Sequence, residues 1–181
     1  MKKLQRIHYT KNKEYLFVDG YNIINSWENL KELSRENLED TRLKLMDKLS
    51  EYAHYTGEAV ILVFDGYMVK KSPGTTYTYR GIIVVFTKEF ETADHYIERE
   101  LHKIGRVQSV RVATSDSIEQ QIILSRGGTR ISARELEIEV MNIENTISRK
   151  TKELKVQSSK KLNAIDDELI EKLESLKKEI K

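Results

Sequence analysis

The chain of 181 residues contains no cysteine, which removes disulfides, thiolate metal ligands and cysteine nucleophiles from consideration. No apolar run approaches the roughly 18 residues that a membrane-spanning helix needs. The N-terminal stretch MKKLQRIHYTKNK is basic and lacks the apolar middle of a signal peptide. A cytoplasmic protein without a membrane partner is therefore the expectation. Acids are missing from residues 1–13, which carry five Lys or Arg, and from residues 67–80, which hold the single proline. The net charge of +2 conceals this unevenness. Residues 133–181 balance eleven basic against eleven acidic side chains, which leaves 15 basic and 18 acidic residues in 14–132. That acid excess does not resemble a nucleic-acid binder with a basic face everywhere. It suits a domain that gathers acids at a metal and keeps its basic residues in local patches.

Apolar residues make up 39% of the chain, enough for the core of one domain of ordinary size with an appendage. YLFVD (15–19), AVILVFDG (59–66), GIIVVFT (81–87) and VQSVRVATSD (107–116) are short apolar runs rich in β-formers. Continuous rather than alternating apolar character marks strands buried on both faces, hence a parallel sheet covered by helices. The intervals supply those helices. SRENLEDTRLKLMDKLSEYAHYTG starts at Ser34 as N-cap, carries Leu38, Leu45, Leu49 and Tyr52 on one face, and stops at Gly57. TADHYIERELHKIG runs from Thr92 to Gly105, and DSIEQQIILSRGG closes on Gly127 and Gly128. Strands alternating with helices predict a three-layer α/β/α fold with right-handed crossovers and a mostly parallel central sheet. Residues 67–80, YMVKKSPGTTYTYR, break the rhythm as a loop or an irregular hairpin. From Ser132 onward, apolar residues recur at helical steps, interrupted by QSSKK. Residues 14–147 thus read as the domain and 148–181 as a helical extension, either a dimerising coiled coil or a plain terminal helix.

The strand ends carry the chemistry. The first strand ends in Asp19, the second in Asp65 and the fourth in Asp116, while Asp94 sits in the first turn of the helix after the third. In a parallel sheet these positions share the edge where ligands of such folds bind. A single Asp there is as easily a turn former or a helix cap. Four together crowd like charges, which is costly unless a cation is present. Oxygen-only ligands favour Mg²⁺ or Mn²⁺, and the usual chemistry of such a site is phosphoryl or phosphodiester displacement.

FVDGYNIINSW, VFDG, ETADHYIERE, VATSDSIEQ and RISARELEIEV occur in that order, and as an ordered set they resemble the YacP-like NYN-domain proteins. This family is a bacterial and plastid branch of the PIN-like nucleases. The resemblance covers about residues 14–145 and implies a PIN-like fold and metal-dependent endoribonuclease activity. Some members look like ribosome-associated nucleases that cut mRNA during translation. By the same resemblance Asp19, Asp94 and Asp116 are the expected metal ligands. Asp65 matches the second-strand acid, with a structural cap as the alternative. Asn22 would anchor the loop after Asp19 or meet a phosphate, and Thr92 and Ser115 would orient neighbouring carboxylates. The basic leader 1–13 and the tail after about 150 lie beyond the match. The leader reads as a solvated extension or as an RNA-contacting arm.

RNA needs phosphate contacts and stacking surfaces. Residues 67–80 offer Lys70, Lys71 and Arg80 interleaved with Tyr67, Tyr77 and Tyr79, and SRGGTRIS adds Arg126 and Arg130. Hairpin packing of Tyr77 and Tyr79 is the competing reading, and a helix C-cap explains Gly127 as well as backbone approach to RNA does. His95, beside Asp94, is a candidate proton carrier. The functional expectation is a metal-dependent endoribonuclease. Its alternative is an RNA- or ribosome-binding module whose carboxylates no longer catalyse. A phosphatase of the haloacid dehalogenase type is disfavoured because VDGYN lacks the second aspartate of that motif.

Overall fold

YLFVD and AVILVF offer no charged side chain until their ends, so water has little to solvate along them and both lie mid-sheet. The structure, a computed structural model, describes residues 7–10, 12–66, 73–104, 109–114 and 129–155. Among these, six strands form one sheet: β1 (Tyr15–Asp19), β2 (Ala59–Phe64), β3 (Thr75–Tyr79), β4 (Ile82–Phe86), β5 (Val110–Ala113) and β6 (Thr129–Ile131). Their order across the sheet is β3-β4-β2-β1-β5-β6. Every pairing is parallel except β3 with β4. The helices are α1 (Gly20–Ser26), α2 (Glu28–Glu36), α3 (Leu38–Thr56), α4 (Ala93–Ile104) and α5 (133–155). The expected three-layer α/β arrangement with a mostly parallel sheet is the one observed.

Alternation along the strands sends side chains to two faces. On one, Tyr15, Phe17, Ile61, Val63, Val85, Val110 and Val112 meet Ala93, Tyr96, Ile97, Leu101 and Ile104 of α4. On the other, buried Leu16, Val18, Leu62 and Phe64 lie under α1 and α3, with Leu45, Leu49 and Tyr52 of α3 also buried. Arg111 of β5 grips Glu139 of α5 with two hydrogen bonds from one guanidinium nitrogen, 3.0 and 2.8 Å, and reaches Glu58 at 3.0 Å. The Tyr52 hydroxyl donates to the same Glu139 at 2.8 Å. The buried Trp27 indole N–H donates to the Ala133 carbonyl at 2.8 Å, fixing the start of α5. Ser132 and Glu135 cap that start reciprocally, each bonding the other's backbone N–H. The chain divides into a unit Met1–Met141 and a second unit Asn142–Lys181. No helix among the described residues is long and apolar enough to cross a membrane.

Four local readings of the sequence change. The helix expected from Ser34 is two helices, because Asn37 takes an extended φ of −149° and its side chain accepts from the Glu39 and Asp40 N–H groups. Ser34 lies inside α2 and its hydroxyl donates to the Lys31 carbonyl. Of the segment read as a loop or irregular hairpin, the described residues 73–80 contain β3, joined to β4 by Arg80 and Gly81, whose φ of 40° and 91° make a regular two-residue hairpin turn. The three residues of β6 are too short to register as a strand in the sequence. The end of the basic leader is docked rather than solvated: Ile7 and Tyr9 pack on the α4 face, and the Tyr9 hydroxyl donates to buried Glu100 at 2.7 Å. The helix expected over 116–128, and the tail beyond 155, lie outside the described residues.

Thr87, fully buried after β4, is a junction. Its N–H donates to the Phe64 carbonyl at 3.0 Å, its hydroxyl accepts from the Gly66 N–H at 2.7 Å, and the same hydroxyl donates to the Glu91 carbonyl. A Cβ at Gly66 would stand 2.1 Å from the Thr87 carbonyl oxygen, which belongs to backbone and cannot swing aside. Gly66→Ala is therefore expected to lower stability by about 1–3 kcal/mol, read as a lower urea midpoint at unchanged slope. An unchanged midpoint would show that this junction yields.

Candidate active site

Since β1, β2, β4 and β5 run in one direction, their C-terminal ends meet at a single edge. Asp19 ends β1, Asp65 follows β2, and Asp94 occupies the first turn of α4, which begins from that edge after the loop leaving β4. Asp116 and Ser115, expected at the end of β5, lie outside the described residues, as do Tyr67, Lys70, Lys71 and Arg126.

Asp19 is held by its own helix. It takes the N-cap of α1, and its Oδ1 accepts from the Asn22 N–H at 3.1 Å. Its carboxyl is nevertheless pushed up to about 6, chiefly by burial, with the charges of Asp94 and Asp65 adding to the rise. The amide N–H groups of Asn22 and Tyr21 pull the other way. Burial outweighs two favourable N–H groups, so the site disfavours its own ionised acid. Asp19 thus feels the charges of Asp94 and Asp65. Among the described residues no group of three or more acids or histidines is drawn close enough to enclose a metal ion. The donor chemistry still fits Mg²⁺ or Mn²⁺, since these ions keep several waters and need only one or two carboxylates beside substrate phosphates. Asp19 and Asp94 are the described residues that would hold such an ion, with Asp65 beside them.

The neighbours divide by what they already do. Asn22 braces Asp19 through its backbone. The Thr92 hydroxyl accepts from the His95 N–H at 3.2 Å and lies 2.9 Å from its Nδ1. Thr92 is thus the N-cap of α4 and orders the helix start on which Asp94 sits. His95 is turned back onto that cap. On the other face of the same edge, the rings of Phe64 and Phe86 stack at 5.1 Å and Tyr77 stacks on Phe86 at 6.4 Å. The Arg42 guanidinium covers Tyr21, Phe64 and Phe86 at 5.3 to 6.0 Å and donates to the Tyr21 hydroxyl.

The basic and aromatic residues expected to meet RNA do not all gather here. Tyr77 is half-buried in the ring stack. Tyr79 and Arg80 fall at the opposite edge, because β3 runs antiparallel to β4, and both bind Asp47 of α3 at 2.8 and 2.7 Å. Within the described residues, they tie the hairpin turn to α3. Arg130 lies in β6 opposite Val112, with its Nε buried and lacking a hydrogen-bond partner. Two residues at the acidic edge escaped the sequence reading. Arg42 sits in a helix where one more basic residue carries no signal. Phe90 lies in KEFETAD, where a lone aromatic among charges was the only mark.

Known proteins share both this sequence and this fold. The Bacillus subtilis (strain 168) protein YacP is 39% identical over 162 residues, spanning 89% of this chain and 95% of YacP. The crystal structure of Rae1 (YacP) from Bacillus subtilis matches with a TM-score of 0.70 at 38% identity, covering 91% of this chain and 94% of that one. The crystal structure of a point mutant of the same Bacillus protein matches with a TM-score of 0.69 at 41% identity, over 78% and 83% of the two chains. The model of the YacP-like NYN domain covers residues 16–178, and so takes in the tail that the five motifs did not reach. With the acids at one parallel edge of a shared fold, the chain belongs to the YacP-like NYN domain family of PIN-like nucleases.

Proposed function

We propose that the protein is a metal-dependent endoribonuclease that cleaves messenger RNA, on the translating ribosome and in the cytoplasm. Membership of a nuclease family supports the reaction class. The observation that carries the metal and the site is the approach of Asp19, Asp65 and Asp94, with Asp19 held near 6 by burial and by its two acidic neighbours. Asp19 and Asp94 would hold a divalent cation, which would supply charge for the phosphate and acidify a water for in-line attack. The chain's own residues do the rest. Asp19 is oriented by the first amides of α1, Asp94 by the Thr92 cap of α4, and Asp116 is proposed as the third ligand with Ser115 beside it. Lys70, Lys71 and Arg126 are proposed to meet the RNA backbone. Messenger RNA and the ribosome enter from the resemblance of the five motifs.

The test is cleavage of naked RNA, and of translated RNA with ribosomes, in Mg²⁺ or Mn²⁺. Asp19→Asn and Asp94→Asn are each expected to lower cleavage by at least about 10²-fold, the scale set by losing one transition-state-stabilising group, while RNA binding is kept. A wild-type protein that binds RNA or ribosomes and cleaves neither substrate would favour the binding module instead.

The same acid makes a second expectation. The Asp19 carboxyl rises from an ordinary 3.8 to about 6 in the fold. Its protonated form therefore stabilises the metal-free protein fully below about pH 4, and that contribution is lost as pH rises through 6. Asparagine keeps the cap and cannot ionise. In chelator, Asp19→Asn should raise unfolding free energy by on the order of 1–3 kcal/mol at pH 7.5 and change it little near pH 4. Urea titration at both values measures this. A loss of stability at pH 7.5 would contradict the assigned burial.

A further inference from the structure

Phe90 lies four residues before Asp94, in the loop that carries the chain from β4 to α4 at the acidic edge, and it is 73% exposed. Its backbone has φ of 66°, a left-handed conformation that costs an aromatic residue and that glycine or asparagine would adopt freely. Backbone preference does not favour a phenylalanine there, and it is largely exposed. The loop is nonetheless tightly held. Besides the Thr87 junction, the Glu91 N–H donates to the Lys88 carbonyl at 3.0 Å, closing a turn with Glu89 and Phe90 at its tip. The Glu91 side chain is gripped by Arg99 of α4. Rigid surroundings thus impose a strained backbone on a largely exposed aromatic residue, and such strain clusters where ligands are held.

We infer that Phe90 is a stacking platform for an unpaired base of the RNA strand whose phosphate enters the acidic edge. The inference rests on the nuclease reading above and adds to it the part of the substrate that this loop meets. A flat apolar ring in the loop that leads to Asp94 suits a base, which has a π-face and no charge. It does not suit a phosphate, which the acids alone would repel. Stacking of this kind is tolerant of sequence, so Phe90 contributes affinity and position rather than base choice. Because the loop is pinned independently of its tip, exchanging Phe90 tests the ring without dismantling the site.

The experiment measures binding of a fluorescein-labelled single-stranded RNA to the full chain carrying Asp94→Asn, with and without Phe90→Gly or Phe90→Trp. Phe90→Gly should weaken binding about 5- to 100-fold, the equivalent of one lost base stack, while its thermal midpoint holds or rises as the backbone relaxes. Phe90→Trp should bind at least as well as the parent. An RNA series with one abasic nucleotide moved along the strand should contain a position at which Phe90→Gly costs nothing further. If Phe90→Gly binds as tightly as its parent and, on the otherwise wild-type chain, leaves kcat/KM for RNA unchanged, the platform is overturned and the nuclease stands. If Phe90→Gly unfolds, Phe90→Asn and the abasic series decide the same question. A wild type that neither binds nor cleaves RNA removes the nuclease reading, and the platform with it.

Discussion

β1 lies in the middle of the sheet with β2 on one side and β5 on the other, all three running the same way. That parallel pairing fixes where the chemistry can be. The pairing sets Asp19 against Val63, two residues short of Asp65, and β2 in turn sets Phe64 against Phe86, from which the chain turns toward α4. An antiparallel neighbour would have sent its terminal residue to the far edge, as β3 does with Tyr79 and Arg80. Apolar burial drives the pairing. Leu16, Phe17 and Val18 are wholly enclosed, as are Ile61, Leu62 and Val63, and burial of this extent outweighs the placing of acids at the strand ends.

Two of the acids have a local structural partner that makes them tolerable. Asp19 sits on the first amides of α1, and Asp94 at the positive end of α4, where a carboxylate is favoured. These partners do not offset the cost of burial, to which the charges of Asp94 and Asp65 add, since Asp19 still holds its proton to about 6.

Much of this was legible in the sequence. Uninterrupted apolar runs ending in Asp gave the buried parallel strands and their common edge, because the physics of burial leaves a plain mark in composition. Thr92 and Gly57 were legible as helix ends for the same local reason. What stayed hidden was non-local or conformational. The break at Asn37 depends on one residue leaving helical geometry, which the apolar spacing across it does not disclose. Tyr79 and Arg80 share a basic, aromatic segment with Tyr77, yet an antiparallel strand carries them to the opposite edge. Phe90 is marked by a backbone angle, which no residue type announces. Asp116, Ser115, Lys70, Lys71 and Arg126 fall outside the described residues, so their part remains proposed.

Thr87 gives the site a mechanical property as well as a shape. One buried side chain receives the chain leaving β2 and holds the chain approaching α4. Displacement of the segment bearing Asp65 is therefore transmitted through two hydrogen bonds to the segment leading to Asp94. The two acids are thus tied, each at a few residues' remove, to one buried side chain.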